Sequence, residues 1–259
     1  MKHFWVVLCI GVITLLSSVF IFTSWCSGKN KTIDFDIPLL LKNVPEQILY
    51  RKNYIVSYNK ETKIPNWVAW RLKKKHLDGQ IKRPGNAWHE DLAVPKPRAT
   101  NNDYRNSGWS RGHLCPAGDN KWDSVAMYES FLFTNCCPQN AKLNSGDWNE
   151  IEMLCRRWTM KFDSVDIVCG PILFQQEHLT IGENKIIVPE AFFKVVICLD
   201  DKPKGISFIC RNSDGNRPKD FYINTISETE CITGITFFPH LSAELSEKVK
   251  QTANLNDWK

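Results

Sequence analysis

The residues best suited to chemistry lie between positions 110 and 156. Ser110-Arg111-Gly112-His113 opens the run, Asn135 follows, and Leu143-Asn144-Ser145-Gly146-Asp147-Trp148 leads into a stretch that carries Glu152 and Arg156. A neutral imidazole takes a proton from water near neutral pH, so His113 suits a general base. An arginine such as Arg111 balances negative charge that develops on a phosphoryl group. Magnesium prefers oxygen ligands and keeps several of its waters, so one amide oxygen, that of Asn144, suffices to hold it. Glu152, two turns further on, can reach such an ion through water. A base, a cation site and arginines are together what hydrolysis of a phosphodiester requires.

Each of these residues also has an ordinary reading. Asparagine is a favoured helix N-cap, so Asn144 can simply start a helix, and Ser145 or Asp147 can do the same. Glu152 and Arg156 are four residues apart, the spacing of a surface ion pair on a helix. Asn140 and Asn149 read as loop and helix-surface polar groups. His76, His89, His178 and His240 read as surface or core histidines, and Trp122, Trp148 and Trp158 as core.

The elements that must position this chemistry follow from hydrophobic patterning. Residues 53–58 and 66–72 read as two strands of a hairpin, with Lys60 to Pro65 as the turn. Residues 78–110 are rich in Pro, Gly, Asn and Asp and read as a long ordered loop, a length more often functional than idle. Residues 131–135 (FLFTN) resemble a short strand. From Asp147 to about Phe162, Trp148, Ile151, Leu154, Cys155 and Trp158 recur at helical spacing. Apolar runs near 164–169, 185–199 and 205–211 read as strands. The expectation is one α+β domain over residues 45–259, joined by a linker at 29–44 to a separate segment at 1–28.

That first segment is an apolar run from Phe4 to Trp25, preceded by Lys2 and His3 and free of acids and bases. Its length lies between a cleaved signal peptide and a membrane anchor, and both readings stay open. Either one places the remainder outside the cytoplasm, in the periplasm, the cell envelope or the medium, tethered to a membrane if the run is retained. In that setting the eight cysteines beyond residue 29 are permitted to pair. Cys169, Cys198 and Cys210 lie in strand-like runs where buried free thiols are at least as natural. No C-x-x-C pair occurs, which argues against a structural zinc site.

Charge is unevenly distributed. Residues 51–113 hold 14 basic and 5 acidic side chains, whereas residues 114–259 hold 15 and 20. The basic half, including Lys73-Lys74-Lys75, Lys82-Arg83, Lys96, Arg98 and Arg105, leads directly into His113. A basic stretch is usually a solvated face, but directly before His113 such charge would also hold a polyanionic substrate.

With these residues in view, the chain resembles the DNA/RNA non-specific endonucleases. The resemblance runs from about residue 45 to Leu241 and extends to Gly170-Pro171-Ile172, Ile187-Val188-Pro189, Phe192-Phe193-Lys194-Val195 and Phe237-Phe238-Pro239. It implies a central, mainly antiparallel sheet flanked by helices and carrying a ββα-metal motif. It implies His113 as general base, Asn144 as ligand of magnesium (manganese a possible substitute), and Glu152 as contact to the ion's water. Arg111 and Arg156 match arginines associated with substrate phosphate, Asn135 matches a further active-site asparagine, and Arg83 matches another phosphate-side arginine. DNA and RNA are the implied substrates, cleaved with inversion at phosphorus to leave 5′-phosphate ends. The sequence departs from the family pattern at Ser110, where the first signature residue is aspartate. That departure keeps two alternatives in play: a phosphodiesterase of restricted substrate, and a catalytically silent nucleic-acid-binding envelope protein.

Overall fold

The computed structural model describes residues 36–40, 43–213 and 215–259, so the leader at 1–28 lies outside the described residues. The strands are β1 (Gln47–Tyr50), β2 (Ile55–Asn59), β3 (Ile64–Lys73), β4 (Ser110–His113), β5 (Cys136–Gln139), β6 (Ser164–Ile172), β7 (Thr180–Ile181), β8 (Ile186–Ile187), β9 (Ala191–Cys198), β10 (Lys204–Arg211) and β11 (Ile223–Asn224). The helices are α1 (Asn101–Tyr104), α2 (Ser124–Ser130), α3 (Ala141–Ser145), α4 (Asp147–Phe162), α5 (Ile226–Thr233) and α6 (Ala243–Lys250). Seven strands form one sheet in the order β1-β2-β3-β6-β9-β10-β11, antiparallel at every pairing. The expected α+β architecture is the one found.

Strand alternation divides the core in two. On β9, Phe192, Val196 and Cys198 join one apolar cluster, which holds Trp148, Ile151, Cys155 and Trp158 of α4. Phe193, Val195 and Ile197 join the other cluster, with Ile226 of α5 and Val249 of α6. Both faces of the sheet are therefore covered, which is why its central strands read as continuous apolar runs. The α4 residues recur at steps of three and four, so one stripe of the helix meets the sheet. Lys194 shares the α4 face of β9 and is 1% exposed.

Two expectations change and one open choice is resolved. The FLFTN segment is not a regular strand: Leu132 makes an isolated bridge with His89, Phe133–Asn135 forms a 3-10 turn, and the ladder begins at Cys136. There the rings of Phe131 and Phe133 pack around Trp88, so tertiary burial prevails over local strand preference. The run at 185–199 is interrupted between Ile187 and Ala191, where Pro189 offers no amide hydrogen to a ladder. Finally, the eight cysteines from Cys115 onward are free thiols, and only Cys231 is exposed. The seven others are dispersed in the packed core as small apolar side chains. Among the described residues, no helix is long and apolar enough to cross a membrane.

Candidate active site

The site is built on a small antiparallel pair set apart from the main sheet. β4 and β5 align Ser110 with Gln139, Arg111 with Pro138, Gly112 with Cys137 and His113 with Cys136. β5 runs directly into Asn140, whose side chain caps α3 by accepting from the amides of Lys142 and Leu143. Asn144 lies in the last turn of α3, and Gly146 separates it from α4. Asn144 is therefore inside a short helix and does not cap one. Trp148 of α4 donates its indole N–H to the His113 carbonyl at 3.3 Å and so ties the helix to the strand. The two strands and following helix bring the histidine and the asparagine into one unit.

Two polar residues give this unit its shape. Asn135 is fully buried: its Oδ1 accepts from the Cys115 amide at 2.9 Å, and its Nδ2 donates to the carbonyls of Cys115 and Ser130, each at 2.8 Å. The structure thus places it as a brace behind the turn after His113, with its carboxamide engaged by the chain. Gly112 faces Gln139 so closely that a Cβ would lie 2.3 Å from Gln139 Oε1, which explains why glycine stands before the histidine. The Ser110 hydroxyl has no hydrogen-bond partner among the described residues.

His113 sits in an aromatic slot. Trp88 packs against it at 4.4 Å between ring centroids, and Phe131 meets it edge-on at 4.9 Å. The Arg83 guanidinium lies 4.8 Å above the Phe131 ring. Burial, reinforced by the Arg83 charge, lowers the imidazole pKa to about 3, so the ring is neutral throughout the physiological range. Nε2 is shut off from solvent and has no hydrogen-bond partner. Arg111 lies over the Tyr104 ring at 5.4 Å and donates to the Asn101 carbonyl at 3.4 Å.

Around Glu152 the picture is different. Arg156 donates through Nε to Asp119 at 2.7 Å and through Nη2 to Glu152 at 3.3 Å. Asp119 also accepts from the Trp70 indole at 3.1 Å. The Lys194 ammonium lies 4.4 Å from the Trp148 ring and 5.1 Å from that of Trp70. Burial pushes the Glu152 carboxyl up to about 7, against the opposing pull of Lys194 and Arg156. Arg156 is thus committed to two carboxylates, in a partly buried charge network. Sequence reasoning missed Trp88, Asp119 and Lys194. A lysine amid the apolar FFKVVIC run was the one available signal, since an unaccompanied charge in a fully buried strand needs a partner.

No group of three or more His, Cys, Asp or Glu side chains that could hold a metal occurs among the described residues. The Asn144 carboxamide has no hydrogen-bond partner among those residues, and its oxygen is the hard, neutral donor that a largely hydrated magnesium ion accepts. The donor set therefore fits a cation bound through one protein oxygen.

A family model for DNA/RNA non-specific endonucleases matches residues 37–244. The mitochondrial nuclease EXOG of Homo sapiens is 35% identical over 207 residues, covering 73% of this chain and 56% of that protein. Mitochondrial endonuclease G of Bos taurus is 31% identical over 211 residues, covering 76% of the chain and 71% of the relative. A nuclease of Nostoc sp. is 30% identical over 226 residues, covering 81% and 80%. Among solved structures, the EndoG/EndoGI complex matches with a TM-score of 0.73 at 24% identity, over 79% of this chain and 89% of that one. The mitochondrial relatives overturn the extracytoplasmic placement expected from the leader. An apolar N-terminal run does not by itself specify a destination, and free buried thiols do not call for an oxidising compartment.

Proposed function

The chain belongs to the DNA/RNA non-specific endonuclease family, and on that premise we propose that it hydrolyses phosphodiester bonds of DNA and RNA with His113 as general base. The observation that carries this reading is the neutral imidazole at the end of β4, held between Trp88 and Phe131 with the Arg83 guanidinium close by.

Because Nε2 is sealed in the protein, Nδ1 is the ring nitrogen left for the open side. It accepts a proton from the attacking water, and Nε2 keeps the ring hydrogen. Arg111 and Arg83, both in the basic half of the chain, attract and orient the phosphate. Attack opposite the leaving 3′-oxygen inverts phosphorus and leaves a 5′-phosphate. The family is one of divalent-metal nucleases; Asn144 would hold magnesium, with Glu152 reaching its waters, and the ion would stabilise charge on the phosphoryl and leaving oxygens. Asn135 and the Trp148 indole hold the histidine segment in place. Arg156 acts through Glu152 and Asp119.

The test is cleavage of plasmid DNA and of a structured RNA by purified protein, with and without EDTA, beside His113→Ala. Cleavage of both by the wild type, lost in the variant and in chelator, is the expected result. General-base catalysis is worth about 10²–10⁴-fold, so a variant keeping more than about a tenth of the rate refutes the assignment. The relatives' names also support a mitochondrial site of action. Fractionation of cells expressing the full chain should recover it with mitochondria, and recovery in another fraction would refute that placement.

A further inference from the structure

Beside the ββα unit lies a cleft of about 300 Å³, lined by Trp109, Phe174, Leu179, Pro189, Arg211 and Asn212 among others. It adjoins the catalytic unit on two sides. Trp109 immediately precedes β4, the strand that carries Arg111 and His113, and an extended chain advances about 7 Å over two residues. Asn212 donates to the Pro138 carbonyl at 3.0 Å and accepts from the Asn140 amide at 2.8 Å, gripping the turn from β5 into α3.

The lining is unusual for a surface hollow. Phe174 is 59% exposed and Leu179 68%, with no packing of their own to account for them. Phe174 is nonetheless held: its amide donates to Glu190 at 3.1 Å, and Glu190 also meets His178 at 2.8 Å. Arg211 ends β10 as an exposed cation with no ion pair among the described residues. Apolar walls beside an exposed guanidinium suit a nucleobase carrying a phosphate: aromatic faces accept any base, and the cation holds the backbone.

We propose that this cleft is a subsite for one nucleobase of the substrate strand, outside the nucleotides that flank the scissile phosphate, with Trp109 and Phe174 as its stacking walls and Arg211 as its phosphate contact. The interval from His113 through Arg111 to Trp109 is comparable with the spacing of successive phosphates in an extended strand. A strand lying along β4 would then bring a later nucleotide to the cleft. The proposal rests on the nuclease reading above and adds to it a substrate-length dependence.

The experiment compares a single-stranded decanucleotide with a dinucleotide, at saturating magnesium. Base–aromatic stacking is worth enough that Trp109→Ala should raise KM for the decanucleotide about tenfold, with kcat near wild type. The dinucleotide, too short to reach the cleft, should be cleaved as by wild type, and Trp109→Phe should restore most of the loss. Phe174→Ala and Arg211→Ala, both at exposed positions, should raise the same KM without risk to folding. An abasic residue scanned along the decanucleotide should reproduce the KM rise at one position and erase the difference between wild type and Trp109→Ala there. An unchanged decanucleotide KM in all three variants would overturn the subsite. So would equal losses on both substrates, or a Trp109 effect that survives every abasic substitution. A wild-type protein that cleaves neither oligonucleotide overturns the nuclease reading itself, and the subsite with it.

Discussion

Replacing His113 by glutamine should make the protein less sensitive to mild acid. In the unfolded chain this imidazole titrates near the ordinary 6.5, whereas in the folded protein burial and Arg83 lower it to about 3. That gap corresponds to about 5 kcal/mol of preference for the neutral ring. Between the two values the unfolded state binds the additional proton, so stability contributed at neutral pH is lost as pH falls from 6.5 towards 3. At pH 5 the loss should be about 2 kcal/mol, and at pH 7.5 close to nothing. Glutamine stays neutral at both. His76, lowered to about 4 by burial and neighbouring lysines, contributes equally to the two proteins and cancels. Urea unfolding of metal-free protein at pH 5 and 7.5 measures the effect. The wild type should lose about 2 kcal/mol more than His113→Gln between the two conditions. Equal losses would refute the account and mean that the ring is solvated. The same depression keeps the base in its accepting form at every pH above 5, so any acid limb of the rate in that range belongs to another group.

The metal site should respond in a defined order. EDTA should abolish cleavage and magnesium restore it; Asn144→Ala should be nearly inactive, Asn144→Asp less impaired, and Glu152→Ala down by about 10–100-fold, as for an outer-shell contact. A near-wild-type Asn144→Ala would refute the ligand assignment. Arg156→Ala should cost about 3–5 kcal/mol in urea unfolding, because it leaves the 2%-exposed Asp119 side chain without its cation; undiminished stability would return Arg156 to a purely substrate role. Gly112→Ala should lower both stability and kcat, since its Cβ would collide with Gln139; a crystal structure with β4 undisturbed would contradict this. Cleavage of DNA and RNA should fall steeply and in parallel with rising salt, and Arg111→Ala should slow both, whereas salt-insensitive rates would point to a restricted substrate.

Much of this protein was legible in local patterns. The β2–β3 hairpin declares itself by two runs of β-branched and aromatic residues around a turn, and α4 by a period of 3.6 that backbone geometry sets over a few residues. The candidate chemistry was legible as well: His113, Asn144 and Glu152 stand close together in sequence, in types that phosphodiester hydrolysis needs. The sequence also carried its own misdirection. An apolar leader suggested export, a setting that permits disulfides, yet neither the leader nor an even number of cysteines encodes a destination or a pairing.

The tertiary structure decided what surrounds those residues. The long loop at 78–110 brings Trp88 and Arg83 to His113, and these contacts lower its pKa; no periodicity in a loop could announce them. Asn135, an active-site candidate by resemblance, proves to be a buried brace, because its neighbours Cys115 and Ser130 reach it only after the chain turns back on itself. Arg156 lies one turn from Glu152 in the sequence, but its stronger partner, Asp119, comes from 37 residues away. Lys194 enters the same region from β9, on the sheet face that packs against α4. Local sequence sets the direction in which a side chain leaves the backbone. Which charges and rings it meets there depends on packing between distant segments, and that packing determines whether a histidine is a surface group or a neutral base.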